Sequence, residues 1–165
     1  MLVLGIDPGT AITGYGLVRK EGDELALVDC GAITTPAGQP LAERLQTIYR
    51  ELATVVAEHR PDSGAVEELF FSRNVRTALS VGHARGVVLL ALADAGLPIY
   101  EYKPAEVKQA IAGYGAADKR QVQEMVRMLL HLDDVPRPDD AADAVAVAVC
   151  HIHSARLTEL IADAG

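Results

Sequence analysis

Residues 2–10 read Leu2-Val3-Leu4-Gly5-Ile6-Asp7-Pro8-Gly9-Thr10. A nearly continuous apolar run closed by a Pro-Gly turn describes a strand buried on both faces, in the middle of a sheet. Asp7, at its end, is therefore a carboxylate in an apolar setting, and ionising it there is costly without a partner. The closest Lys or Arg in sequence is Arg19. Either a metal or a distant cation compensates the charge, or the side chain only caps the Pro8-Gly9 turn.

Working outward, Gly14 to Arg19 and Glu24 to Thr34 read as two further strands, separated by the turn signal Glu21-Gly22-Asp23, so the first third forms a three-strand antiparallel meander. From Pro40 to His59, the residues Leu41, Leu45, Ile48, Leu52, Val55 and Val56 recur at helical spacing, and Pro61 stops that helix. Ala65 to Phe70 reads as a short buried strand, Asn74 to Ala95 as a long helix ended by Gly96 and Pro98, and Ile99 to Tyr102 as another strand. Helices are expected over Pro104 to Ala112, Ala117 to Leu132 and Asp139 to Ile161, with a loop through Val135-Pro136-Arg137-Pro138. Hairpins first and strand–helix alternation afterwards predict an α/β fold, a mixed sheet covered by helices on both faces.

A chain of 165 residues, half of them apolar, is the size of a single domain, expected over 1–165. No run of about 18 apolar residues stands out as a bilayer span, and no basic stretch precedes an apolar segment at the N-terminus, so no membrane partner is expected and a cytoplasmic location is. Cys30 and Cys150, the two cysteines, read as reduced and buried. The net charge of −8 argues against a polyanionic partner until its distribution is considered. Between Arg73 and Arg127, eight Lys or Arg face five Asp or Glu, so the middle of the chain is basic and the remainder carries the acid.

The other candidate carboxylates lie far apart in sequence. Glu67 and Glu68 follow Ala65 and Val66, and strand alternation sends their side chains to opposite faces, so one of the two can share the neighbourhood of Asp7. Asp139, Asp140 and Asp143 open the last helix. Asp140 and Asp143 share a face of its first turn, and Asp139 is a candidate N-cap. Ala141, Ala142, Ala144, Ala146 and Ala148 would let that helix approach a sheet closely. An all-oxygen ligand set favours magnesium or manganese over zinc, and two such ions about 4 Å apart suit phosphodiester hydrolysis. His151 and His153, two apart on a helix, are a weak metal signal.

In combination these signals become specific. Gly5-Ile6-Asp7-Pro8-Gly9-Thr10 with Thr13-Gly14-Tyr15-Gly16, Ala65-Val66-Glu67-Glu68-Leu69-Phe70, and Asp140-Ala141-Ala142-Asp143-Ala144 closely resemble the RuvC family of Holliday junction resolvases. Ala84-Arg85-Gly86-Val87, Glu101-Tyr102 and Val107-Lys108-Gln109 extend the likeness over nearly the whole chain. The resemblance implies a ribonuclease H-like five-stranded sheet, a homodimer, and a structure-selective endodeoxyribonuclease. Such an enzyme resolves four-way junction DNA by paired symmetric nicks in recombination and repair, with a branch-migration helicase complex as partner. It implies Asp7, Glu67, Asp140 and Asp143 as catalytic metal ligands holding two Mg2+ or Mn2+ ions per subunit, and it selects Glu67 over Glu68. Asp139, beside Asp140, leaves the register of the third ligand open. It also implies Lys108 and Lys119 near the scissile strand and Phe70 against unstacked bases. Phe71, Arg73, Asn74, Arg76 and Arg120 are further expected DNA contacts. The opening motif is also similar to the first phosphate loop of actin-like ATPases and sugar kinases. Those need two such domains, however, and no second copy of the loop occurs here.

Overall fold

In the computed structural model, which describes residues 1–68 and 74–163, Leu2 to Ile6 are all buried, as the opening run requires. They form β1 (Leu2–Asp7), the central strand of a five-stranded sheet ordered β3-β2-β1-β4-β5, with β2 at Ile12–Glu21, β3 at Glu24–Thr34, β4 at Ser63–Glu67 and β5 at Ile99–Tyr102. The meander β1-β2-β3 is antiparallel, whereas β4 and β5 add in parallel after helical crossovers. The helices are α1 (Leu41–His59), α2 (Val75–Asp94), α3 (Pro104–Ala112), α4 (Lys119–Leu129) and α5 (Asp139–Asp163).

The pleat of β1 sorts the core into two layers. Leu2, Leu4 and Ile6 point to one side, where they meet Ile48 and Leu52 of α1 and Val88 and Leu92 of α2. Val3 points to the other side, together with Ala65, Val107 of α3, Val126 of α4 and Val145 and Val149 of α5. Helices thus cover both faces of a mixed sheet, as expected for α/β. Ten of the twelve residues from Ala141 to Ile152 are buried hydrophobics, so α5 is apolar nearly all round and lies inside the molecule.

Several sequence expectations shift: β2 runs beyond Gly14 to Arg19 at both ends, and α4 falls short of Ala117 to Leu132 at both. The strand expected over Ala65 to Phe70 begins earlier, at Ser63, because Ser63 and Gly64 pair in parallel with Val3 and Leu4. Asp62 Oδ2 accepts a hydrogen bond from the backbone N–H of Leu2 at 2.6 Å, locking that register. The expectation that no segment suits a bilayer also needs correction. By length and composition alone α2 would pass, with a mean hydropathy of 1.3. Its inner face explains part of this apolarity, since Ala84, Val88, Ala91 and Leu92 pack on the sheet, but Val75, Leu79 and Leu90 are exposed.

Candidate active site

β1 and β4 run side by side in register, with Ile6 opposite Val66. Their last residues, Asp7 and Glu67, therefore end the two strands together. Both have the pleat parity of Val3 and Ala65, so both face α5. Glu68 lies past the strand end with the opposite parity, and its backbone N–H donates to the Tyr102 carbonyl at 2.8 Å. The residue of the pair that meets Asp7 is Glu67.

The third acidic segment arrives through close packing. A Cβ on Gly14 would lie 1.9 Å from the Asp140 carbonyl oxygen, and one on Gly5 would lie 2.1 Å from that of Ala144. With glycine in the strands and alanine in the helix, the α5 backbone settles directly on β1 and β2. The Pro138 carbonyl accepts from the N–H groups of Ala141 and Ala142 at 2.9 and 3.2 Å, which places the start of the helix at Pro138. Asp139 is consequently a first-turn residue and not the cap that the sequence suggested. Its side chain is exposed and turned toward Lys119 and Gln123. Asp140 and Asp143, one turn apart, are half-buried and face the strand ends.

The electrostatics show how crowded the acid is. Burial, then the charge of Glu67, then their hydrogen bond, then Asp143 and Asp140 push the Asp7 carboxyl up to about 8. Glu67 is raised by burial, held down by its bond from Asp7, raised by Asp143 and lowered by Lys108 and Lys119. The pair is best described as one proton resident on Asp7 and donated to Glu67, as two close carboxylates require. Asp143 is raised by burial and opposed by Lys119. Lys119 Nζ lies 3.0 Å from Asp143 Oδ2 and 3.6 Å from Asp139 Oδ2. It is aimed there by the capping box that starts α4, in which Asp118 accepts from the Gln121 N–H at 2.8 Å and Gln121 Oε1 accepts from the Asp118 N–H at 2.9 Å.

Two clefts flank the cluster. One of about 240 Å³ is lined by Glu67, Lys108, Lys119 and Asp143, and an open one of about 470 Å³ by Gly9, Thr10, Arg76, Thr77, Ser80 and Asp140. Acid lies at the centre, with Lys108 and Lys119 on one side and Arg76 on the other. Among the described residues no group of three His, Cys, Asp or Glu is placed to hold an ion as it stands. The donor chemistry nevertheless fits hard divalent cations, because four oxygen-donor side chains meet in a site where one of them takes up a proton in place of positive charge.

Other expected site residues fare differently. Asn74 Oδ1 accepts from the N–H groups of Arg76 and Thr77, at 3.0 and 3.4 Å, and caps α2. Arg120 is exposed on the first turn of α4. Phe70, Phe71 and Arg73 lie outside the described residues. The histidines are away from the carboxylates. His151 is buried with Nδ1 2.7 Å from Tyr102 Oη and its ring stacked on Tyr100, and His153 Nδ1 lies 3.3 Å from the Ala110 carbonyl oxygen. Sequence reasoning missed the glycine seats for α5. Their signal was present in the alternation Gly14-Tyr15-Gly16, where a strand gives up side chains on the face that a helix backbone must reach.

The model of the family described as crossover junction endodeoxyribonuclease RuvC matches residues 3–151. The chain belongs to the RuvC family. A RuvC from Chloroflexus aggregans, named a crossover junction endodeoxyribonuclease, is 63% identical over 155 residues, covering 94% of each chain. The RuvC from Desulfitobacterium hafniense is 60% identical over 157 residues, 95% of each. Among solved structures, T. thermophilus RuvC in complex with Holliday junction substrate superimposes with a TM-score of 0.91 at 42% identity, covering 96% of both chains. The mixed sheet flanked by helices is thus the ribonuclease H-like fold of that RuvC.

Proposed function

We propose that this RuvC protein is a single-domain, metal-dependent endodeoxyribonuclease that resolves four-way DNA junctions by paired symmetric nicks in recombination and repair. The observation that carries the reading is the meeting of Asp7, Glu67, Asp140 and Asp143, from three distant segments, in a partly buried acidic centre flanked by Lys108, Lys119 and Arg76. The named substrate of the T. thermophilus relative supports the choice of DNA.

In this reading Asp7, Glu67, Asp140 and Asp143 would hold two Mg2+ or Mn2+ ions, which would supply activation of the attacking water and stabilisation of the leaving oxygen. To serve as a ligand, Asp7 would have to give up the proton that it shares with Glu67. Lys119, now paired with Asp143, and Lys108 stand at the rim of the cleft, where cations stabilise charge that grows on the phosphate. The oxygen of water bonds to phosphorus and the P–O3′ bond breaks, leaving a 5′-phosphate and a 3′-hydroxyl that a ligase can rejoin. Phe70 stacks on unpaired bases at the crossover, Phe71 is a further DNA contact, and Arg73, Asn74, Arg76 and Arg120 contact phosphates. A cytoplasmic homodimer that cooperates with a branch-migration helicase completes the assignment.

The test is cleavage of a synthetic mobile junction with Mg2+ or Mn2+, by wild type and Asp7→Asn. Losing a ligand worth several kcal/mol of transition-state stabilisation predicts cleavage about a thousandfold slower. Junction affinity should stay within about twofold, since no basic contact is lost. Tight junction binding by wild type without incision would instead favour a noncatalytic binding module.

A further inference from the structure

The turn that follows Asp7 is held from outside the acidic centre. Thr10 is 4% exposed, and its hydroxyl donates to the Ser80 backbone carbonyl in α2 at 2.5 Å. The Thr10 carbonyl in turn accepts from the hydroxyl of Thr35, itself 6% exposed, at 2.5 Å. Thr35 Oγ1 also accepts from Arg44 Nε of α1 at 2.8 Å, and the Thr35 N–H donates to the Ala11 carbonyl at 3.0 Å. Thr13 closes the turn on its near side by donating from Oγ1 to the Gly9 carbonyl at 2.7 Å. A hydrogen-bond chain therefore runs from α1 through the end of β3 to the turn, and from the turn to α2.

Within this chain the Thr10 hydroxyl makes the side-chain link to α2. Ser80 is internal to α2, so its carbonyl also serves the helix ladder, and Thr10 uses the remaining lone pair. Packing alone does not explain the residue, because valine has the same shape. What distinguishes threonine is the bond it makes to α2, whose inner side chains Val88 and Leu92 share an apolar layer with Leu4 and Ile6 of β1.

We propose that Thr10 is a positioning residue for the metal site, fixing Asp7, three residues upstream, against α2. The inference rests on the metal-dependent reading of the carboxylates.

The experiment measures Mn2+ binding to full-length protein by loss of the free-ion electron paramagnetic resonance signal, at a temperature where circular dichroism shows each variant folded. The variants are Thr10→Val, Thr10→Ser and Thr35→Val, with Thr10→Ala in place of valine if that variant does not fold. Loss of an outer-shell partner predicts about tenfold weaker Mn2+ binding for Thr10→Val. Thr10→Ser, which keeps the hydroxyl, should restore the affinity. Thr35→Val keeps the bond to Ser80 and should lower the melting temperature while leaving Mn2+ affinity near wild type. The Mn2+ concentration for half-maximal cleavage should shift in parallel with affinity while junction binding stays constant. A Thr10→Val protein that binds Mn2+ like wild type overturns the assignment, as does equal weakening by Thr35→Val. Wild type that binds no Mn2+ overturns the metal reading itself, and this inference with it.

Discussion

At the scale of single residues, the acidic centre opposes the stability of the metal-free protein. The Asp7 pKa is raised above its unfolded value of 3.8 to about 8, so between those values the folded state binds the extra proton. By linkage, the stability tied to this proton is fully present below pH 3.8 and is lost as pH rises through about 8. Asp7→Asn removes the repulsion but keeps a group that can bond to Glu67. Without metal at pH 8 it should melt above wild type, by roughly 2–4 °C per kcal/mol relieved. Saturating Mn2+ should reverse the order, because only wild type gains from the ion. Scanning calorimetry with and without chelator checks both halves, and equal melting temperatures in chelator would refute the repulsion. His151 behaves oppositely. Burial lowers its pKa below 6.5, so the stability that comes from keeping it neutral is present above 6.5 and lost as pH falls toward the folded value. The slope can reach about 1.4 kcal/mol per pH unit where one proton separates the states. His151→Phe should flatten the urea-derived stability profile between pH 6.5 and 5 relative to wild type, whatever its absolute stability.

At the scale of elements, legibility in the sequence followed the range of the interactions. β1, β3, β5 and α3 occupy the spans that local patterns indicate, because apolar runs, turns and a leading proline are local causes. The start of β4 was hidden. Pro61-Asp62-Ser63-Gly64 has the composition of a turn, and only pairing with β1, some sixty residues away in sequence, makes Ser63 and Gly64 strand. The residues alone left the choice between Glu67 and Glu68 open for the same reason. Alternation separates the two glutamates, but the face toward Asp7 depends on the β1–β4 register, which no local pattern encodes. The family motif selects Glu67, and the β1–β4 register places that residue beside Asp7. The seating of α5 gives the sharpest test at this scale. Gly14→Ala would put a methyl group 1.9 Å from the Asp140 carbonyl oxygen, where backbone and not a pliable side chain must yield. Overpacking of this kind typically costs about 1–3 kcal/mol. Lifting the first turn of α5 would also draw Asp140 from the strand ends, so cleavage should fall by more than the lost stability explains. Urea unfolding together with single-turnover cleavage of folded protein separates the two. Full activity in a destabilised Gly14→Ala would show that α5 tolerates a shift without moving the site.

At the scale of the whole molecule, the exposed side of α2 asks for a partner. Val75, Leu79 and Leu90 are 70%, 59% and 55% exposed, and Gly86, on the same side, has nothing within 4 Å of where a Cβ would sit. Three large apolar side chains around a glycine suit the close approach of a second helix, and a twofold axis through this face would pair α2 with its own copy. The inner side of α2 packs on the sheet, and Arg85 forms an ion pair with Glu101 of β5, so the helix is a rigid base for such a contact. A stable interface of ordinary size buries about 800 Å² per partner, most of its energy coming from a few central side chains. Leu79→Asp with Leu90→Asp places charges at that centre and should shift the light-scattering mass at micromolar concentration from dimer to monomer. Neither position belongs to the buried core, so the folded monomer should persist. The functional readout follows from symmetry. A four-way junction presents two equivalent phosphates, and two linked active sites can cut both within one encounter. On a supercoiled plasmid carrying an extruded cruciform, wild type should yield mainly linear product, and the monomeric variant nicked circle, because the first nick relaxes the plasmid and reabsorbs the cruciform before a second molecule arrives. Linear product from a variant shown to be monomeric would separate the paired nicks from this face of α2.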